Sequence, residues 1–581
     1  RLGFGFRRLP ILELQSCGHQ PMCDEALGLA IVFNGEIYNY LELRSELIAR
    51  GYSFVTSSDT EVLLKAYHAW GDDFVNRLNG MWALAIWDAR QGRLFCSRDR
   101  FGIKPFYFAS RAGILYFGSE LKQLLAAPLD LDLNPAQIYR SMKINAMLAY
   151  GDETYWKAIR ALPPGHNLIA DQHGIQTMPY YSLDPQTFER SELSLAEAAD
   201  AYRQIFTDAV KLQLRSDVEI GSALSGGLDS TAILAVAKDH LPYPIRSFST
   251  YFAEDPALDE RPWISLAAEA SGALPHYIAP RAEDAIAWWE QATWLNDLPL
   301  AAGFVSQYAL MQQVHESGIR VLLSGQGSDE INAGYRHAAY RYYADLIRKG
   351  LLPQVLRELH QVLSRGLAPA TADLGKSLLC AVLPESRLYG IELRHYRFEA
   401  FTPDFIAKAH QSKRSGILEN IRNLQTSKLS NFLYNMIYTT SLQTLLHYED
   451  RMSMAHSVES RVPFLDHRLV ELAFSLPARY KIQPPLRKIV HRQAIRQMVP
   501  AAIYDRSDKG IFSSPFYSTW MRKELRGYFS DILASTAFRQ RGYWNLPLIN
   551  QKWQAYLAGD AKPAEMLFNV MALELWAGIY T

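Results

Sequence analysis

Short apolar runs alternate with stretches of helical spacing along most of this chain. The run from Leu29 to Phe33 gives way to Asn34, Gly35 and Glu36, which predicts a strand ending in a polar turn. Leu41, Leu43, Leu47 and Ile48 predict a helix over 40–50, and Ser57-Ser58-Asp59-Thr60-Glu61 reads as the cap of another running to Trp70. Strands are predicted at 81–87, 94–97, 105–109 and 114–118. Helical spacing returns from Leu195 to Leu212, and the rhythm then changes to strand (218–224), helix (231–240), strand (245–251) and, later, strand (320–323). Parallel strands joined by helices make a doubly wound sheet whose ligands sit beyond the strand carboxyl ends. The polar stretch 184–194 divides the chain into residues 1–185 and 195–581. Residues 350–430 have helical spacing and match no functional motif; an insertion packed around the cleft is expected there. Trp288, Trp289 and Trp294 read as core rather than as stacking platforms.

The most informative stretch is Ser225-Gly226-Gly227-Leu228-Asp229-Ser230. It lies between an apolar run and a helix-like run, where backbone N–H groups and a helix dipole converge on an anion. Two glycines let the main chain approach closely, and the Ser225 and Ser230 hydroxyls add donors. A carboxylate at Asp229 would repel a bare phosphate, so the loop predicts a magnesium–nucleotide complex. The lysine of a Walker loop is missing.

At 581 residues the chain is too long for one core. Its 60 basic and 60 acidic side chains cancel, which leaves no general field for nucleic acid or an anionic membrane and points to small-molecule partners. No apolar run reaches the roughly 18 residues of a membrane span, and no signal peptide is visible. Cys17, Cys23, Cys96 and Cys380 form no CxxC pair, so neither a disulfide framework nor a zinc site is expected, and a reducing cytoplasm fits. Arg1 is not an initiator Met, and residues are expected to precede it.

Several strings carry a resemblance. Asn34-Gly35-Glu36-Ile37-Tyr38-Asn39, Ser58-Asp59-Thr60-Glu61, Asn79-Gly80-Met81-Trp82-Ala83 and Arg98-Asp99-Arg100-Phe101-Gly102-Ile103-Lys104-Pro105 resemble the glutaminase domain of class II glutamine amidotransferases, most closely the asparagine synthetase B type. The six-residue loop is similar to that of the ATP pyrophosphatases. Ser324-Gly325-Gln326-Gly327-Ser328-Asp329-Glu330 and the long string from Tyr448 through Asp466 extend the match into the second half. The resemblance implies an N-terminal Ntn-type αββα sandwich and a C-terminal doubly wound ATP-pyrophosphatase domain with helical additions.

It also implies roles. Asn34 and the Gly35 N–H would form an oxyanion hole. Arg8, in the run Arg8-Leu9-Pro10-Ile11-Leu12, would pair with the glutamine α-carboxylate, and Glu36 and Asp59 with its α-ammonium. The family's nucleophile is an N-terminal Cys, which this sequence does not contain. Cys17 is internal and has no free α-amine, so Cys17 and Cys23 read as ordinary buried or loop thiols. Leu224, Ser225, Gly226, Gly227, Asp229, Ser230, Thr250, Ser324 and Gly325 would meet ATP, Asp229 and Asp329 would hold Mg2+, and Lys509 would neutralise charge on the phosphates. Gln326, Glu330, Tyr335, Asp450 and Arg451 would face the acceptor. In relatives the Gln326 position is commonly a Glu considered for acid–base work, and Gln cannot titrate.

The implied reaction is adenylation of aspartate by ATP, then amidation by ammonia from glutamine, in an enzyme family that is often homodimeric. Two alternatives stand beside it: the same chemistry on another carboxylate, such as a uronic acid sugar or a secondary-metabolite acid, and a noncatalytic nucleotide-binding or ammonia-sensing protein.

Overall fold

Among the described residues, nine antiparallel strands build the first half: β1 (Met22–Asp24), β2 (Leu29–Ile37), β3 (Gly80–Asp88), β4 (Arg93–Arg98), β5 (Tyr107–Arg111), β6 (Ile114–Gly118), β7 (Arg160–Ala161), β8 (His166–Asp171) and β9 (Gly174–Pro179). They form a six-stranded sheet, β1-β2-β3-β4-β8-β9, and a three-stranded one, β6-β5-β7. The computed structural model describes residues 2–144, 151–252, 255, 258–301, 303–364, 370–395, 399–411, 420–506 and 515–581.

The period-two pattern of β2 explains the layering. Leu29, Ile31 and Phe33 pack with Leu43 and Leu47 of α1 (Tyr40–Ala49) and Val62 and Leu63 of α2 (Asp59–Trp70). Val32 points the other way, into a core shared with Ala83, Ala85, Leu94, Phe106 and Leu162 between the two sheets. Beyond the small sheet, Tyr107 and Ala109 meet Leu121, Leu124 and Ile138 from the helices Leu121–Leu125 and Pro135–Ile144. The result is the αββα sandwich.

One expectation changes here. Asn34, Gly35 and Glu36 do not form a turn; they continue β2 and pair with Ala83, Trp82 and Met81 of β3. Gly35 (φ +149°) is required, because a Cβ there would lie 2.0 Å from the Met81 carbonyl oxygen.

The second half runs α3 (Leu195–Gln213), β10 (Ile220–Ala223), α4 (Leu228–Lys238), β11 (Arg246–Thr250), α5 (Arg261–Ser271), β12 (Leu274–Ile278), α6 (Gly303–Glu316), β13 (Val321–Leu323), α7 (Leu442–Ala455) and β14 (Glu459–Arg461). Its sheet is parallel, in the order β12-β11-β10-β13-β14. Successive strands move outward from β10 to β12, and the chain then crosses back to lay β13 on the other side of β10. The crevice between β10 and β13 is therefore the topological switch point, the place where such sheets bind ligands.

Sequence patterning missed β12 and β14. β12 is an edge strand containing Pro275, and β14 is Glu-Ser-Arg, polar yet buried. In the 350–430 segment, the helices Ala370–Val382 and Glu385–His395 bury Cys380 and Leu388 against Tyr340 and Ala344 of the helix His337–Arg348. Trp289 is core, stacked 4.8 Å from Phe568, whereas Trp294 is 49% exposed beneath the Lys122 ammonium, so the core reading does not extend to it. Cys17 and Cys23 are exposed thiols. Among the described residues no helix is long and apolar enough to cross a membrane.

Candidate functional site

A cavity of about 750 Å³ opens beside β2 and β3. Arg8, Leu9, Ile11, Leu12, Asn34, Gly35, Glu36 and Asp59 line it; Pro10 does not. The Arg8 guanidinium donates to the carbonyls of Leu12 (2.8 Å), Gln15 (3.0 Å) and Glu13, and so shapes the rim of the cavity. The Asn34 amide donates to the Ser119 hydroxyl at 3.3 Å.

Glu36 and Asp59 are the electrostatic centre of this cavity. Burial, and then the charge of Asp59, push the Glu36 carboxyl well above the usual range. Burial raises Asp59 to about 6, although its carboxylate accepts from the Ile37 N–H at 3.0 Å. The cation closest to Glu36 is Arg461, at 3.4 Å, on β14 of the second half. Arg461 also pairs with Glu459 at 2.8 Å, and Asp59 feels both charges, so three buried carboxylates gather about one guanidinium and the cavity has room for a further positive charge.

The second centre lies at the switch point. After β10 the chain turns through Ser225 and Gly226 (φ +67°), and α4 begins at Leu228, earlier than the sequence predicts, with Gly227 as its N-cap. Asp229 therefore belongs to the first turn of α4. A Cβ on Gly226 would lie 2.6 Å from that of Trp263 on α5, so only glycine lets the loop close over that helix. Ser225 and Ser230 hydroxyls stand 3.3 Å apart, and the Gly227 N–H donates to Ser225 at 3.3 Å. After β13, Ser328 donates to Asp229 at 2.8 Å and Asp329 follows it. Leu224 continues β10 by donating to the Phe248 carbonyl, 2.9 Å away, and Thr250 ends the neighbouring β11.

Lys488 joins the two loops. Its ammonium lies 2.6 Å from Asp229 and 2.7 Å from Asp329, and the His491 ring is 3.3 Å from Asp229. Burial alone would raise Asp229, but Lys488 and then His491 outweigh it and hold the carboxyl well below the usual range. Nothing in the sequence marked Lys488, which follows Pro484 and Pro485 outside any glycine-rich string. Lys509 lies outside the described residues.

The donor set suits Mg2+. Asp229 and Asp329 offer hard carboxylate oxygens around the position that the Lys488 ammonium holds, and Mg2+ is commonly bound by one or two carboxylates plus substrate phosphates. Among the described residues no group of three or more His, Cys, Asp or Glu is placed to hold a metal ion.

On the acceptor side, buried Glu330 accepts from the Tyr335 hydroxyl at 2.8 Å and from Ser441 at 2.9 Å. Ser324 and Gln326 stand near buried Glu449 and favour its charged form. Asp450 and Arg451, expected in the same cleft, face the first half instead. Lys104 donates to Asp450 at 2.9 Å, and Arg451 pairs with Asp450 (2.6 Å) and Glu120 (3.1 Å). Asp99 sets this up by accepting from the N–H groups of Phe101 (3.1 Å), Ile103 and Lys104 (2.9 Å each), which fixes the turn that presents Lys104. Arg451 and Met454 line the first cavity, so α7 is the partition between the two centres.

Residues 201–578 match the asparagine synthase family, and residues 1–181 match the glutamine amidotransferase domain. The chain belongs to the asparagine synthase family. It is 30% identical to asparagine synthetase (glutamine-hydrolyzing) 1 of Bacillus subtilis (strain 168), over 100% of this chain and 90% of that protein. Asparagine synthetase (glutamine-hydrolyzing) 3 of the same organism is 31% identical, over 90% of this chain and 81% of its own. Amidase chry2 of Gibberella zeae is 27% identical, over 93% of this chain and 85% of its own. Asparagine synthases are ligases, and this member carries a glutamine amidotransferase half in front of its synthetase half.

Proposed function

We propose that this asparagine synthase family member adenylates a small carboxylate with ATP and Mg2+, releasing pyrophosphate, and that ammonia from glutamine then displaces AMP to leave an amide. Aspartate is the default acceptor and asparagine the default product. The observation that carries this reading is the convergence of Asp229 and Asp329 on Lys488 from the two loops flanking the switch point.

In this reading the 225–230 loop cradles phosphate, Leu224 and Thr250 flank adenine, and Ser324 and Gly325 meet the nucleotide. Asp229 and Asp329 hold Mg2+, which when bound offsets charge on the departing pyrophosphate. Lys488 and Lys509 supply further positive charge. Gln326, Glu330 and Tyr335 shape the acceptor side. In the first half, Arg8 takes the glutamine α-carboxylate, Glu36 and Asp59 take its α-ammonium, and Asn34 with the Gly35 N–H stabilises the oxyanion. The terminal Cys nucleophile the family uses is not among these 581 residues, so ammonium is the nitrogen source in the assays below.

A second reading keeps the chemistry and changes the acceptor. Neutral Gln326 favours it, as do the relatives named amidase chry2 and amidase chyE, at 27% and 28% identity. Pyrophosphate release across a panel of acids decides between the two. Stimulation by aspartate is expected; no response to aspartate beside a response to a uronic or other acid establishes the second reading.

A further inference from the structure

Glu449 is a buried carboxylate, 5% exposed, on the face of α7 opposite the interface with the first half. Ser460 of β14 donates to its Oε1 at 2.7 Å, and Gln307 of α6 donates to its Oε2. Ser324 and Gln326, from the loop after β13, stand close enough to favour its charged form, while burial raises its carboxyl above the usual range. All four of these neighbours are neutral. The charges next to it on α7 are engaged elsewhere: Asp450 by Lys104 and Arg451, and Arg451 by Glu120. On β14, Arg461 is paired with Glu459 and Glu36.

A buried carboxylate without a cation costs stability, and such groups gather where a proton must be held or moved. Its location gives that proton a source. Two residues on, Arg451 begins the part of α7 that lines the cavity of the nitrogen donor. On its other side, Ser324 opens the loop that meets the nucleotide. Gln326 stands on that loop and cannot accept a proton.

We propose that Glu449 is the proton acceptor of the amide-forming step, supplying the carboxylate that position 326 lacks. The inference rests on the adenylation reading above. Ammonia forms the C–N bond to the acyl-adenylate carbon, which yields a tetrahedral species bearing –NH3+. One proton passes from that nitrogen to Glu449, the C–O bond breaks, AMP leaves with the bonding pair, and Glu449 returns the proton to solvent with product release. No other reactant is needed.

The test is the isosteric Glu449→Gln variant of the full chain, with ATP, Mg2+, acceptor and ammonium. Pyrophosphate is followed separately from amide. The expected result is a retained single-turnover burst of pyrophosphate with amide formation reduced by roughly 10²–10³-fold and its acid-side pH limb lost. Adding Gln326→Glu in the same chain returns amide formation by about tenfold or more. Infrared titration of nucleotide-free protein, wild type minus variant, shows one carboxyl titrating above the usual range. Pyrophosphate and amide falling in parallel, or amide formation and its acid limb surviving, overturns the proposal. Absence of pyrophosphate from the wild type with every acceptor overturns the adenylation reading itself, and this inference with it.

Discussion

Asp59 shows how one residue links burial to ligand binding. Its carboxyl titrates at about 6, against 3.8 for the free group, so the folded protein keeps the proton in a range where the unfolded chain has lost it. That stabilisation is complete below the unfolded value and disappears as pH rises through 6, so holding Asp59 ionised at neutral pH costs about 3 kcal/mol of stability. The ionised form is the one an α-ammonium needs. Glutamine affinity measured by calorimetry should therefore rise with pH through about 6. Asp59→Asn should weaken glutamine binding by about tenfold at pH 8, flatten that dependence, and raise Tm more at pH 8 than at pH 5. Asp229 stood out in the sequence because a carboxylate in a glycine turn is anomalous without a cation, whereas Asp329 was singled out only through the family resemblance. Lys488 did not stand out, since a lone lysine acquires meaning only when folding brings it beneath both carboxylates.

Loops and their neighbouring elements make the next set of constraints. Gly226 combines a left-handed backbone with contact against α5, whereas Gly227 has φ −83° and its nearest neighbour to an added Cβ is the Ser225 hydroxyl at 3.2 Å. Urea denaturation should show Gly226→Ala losing about 2 kcal/mol or more, the left-handed penalty plus the clash, and Gly227→Ala losing clearly less. Elements with strong apolar spacing, such as β3 and α3, were legible. β14 was not, because Glu459, Ser460 and Arg461 are buried through pairing with one another's surroundings: Arg461 donates to Glu459 (2.8 Å) and to the carbonyls of Gln213 and Arg215 (2.7 Å each). The Arg98–Pro105 string was recognised as a motif, yet its Asp99-centred turn serves to deliver Lys104 to the partner half.

Across the whole molecule, polar pairs stitch the halves together: Lys104 to Asp450, Arg451 to Glu120, Arg461 to Glu36, and Asn79 to Asp466 at 2.8 Å. Lys104 and Asp450 are 2% and 5% exposed at their side chains, so removing one partner leaves a buried charge. Lys104→Ala should lower stability by about 3 kcal/mol, the lower end for such pairs because Arg451 still faces Asp450. Calorimetry should show the loss as an earlier transition of the joined halves. A change of rhythm near residue 190, between the two halves, is visible in the sequence. How they meet is not, because each of these charges alone reads as a surface or site residue.

The account's central claim is adenylation, and the products of ATP report it most directly. The protein is incubated with ATP, Mg2+, 15N-ammonium and aspartate, then with the other acids, and nucleotides and amides are quantified together. The account predicts AMP, pyrophosphate and 15N-amide in equal amounts with one acceptor. ADP and phosphate in place of AMP, or no nucleotide cleavage with any acid, would contradict it.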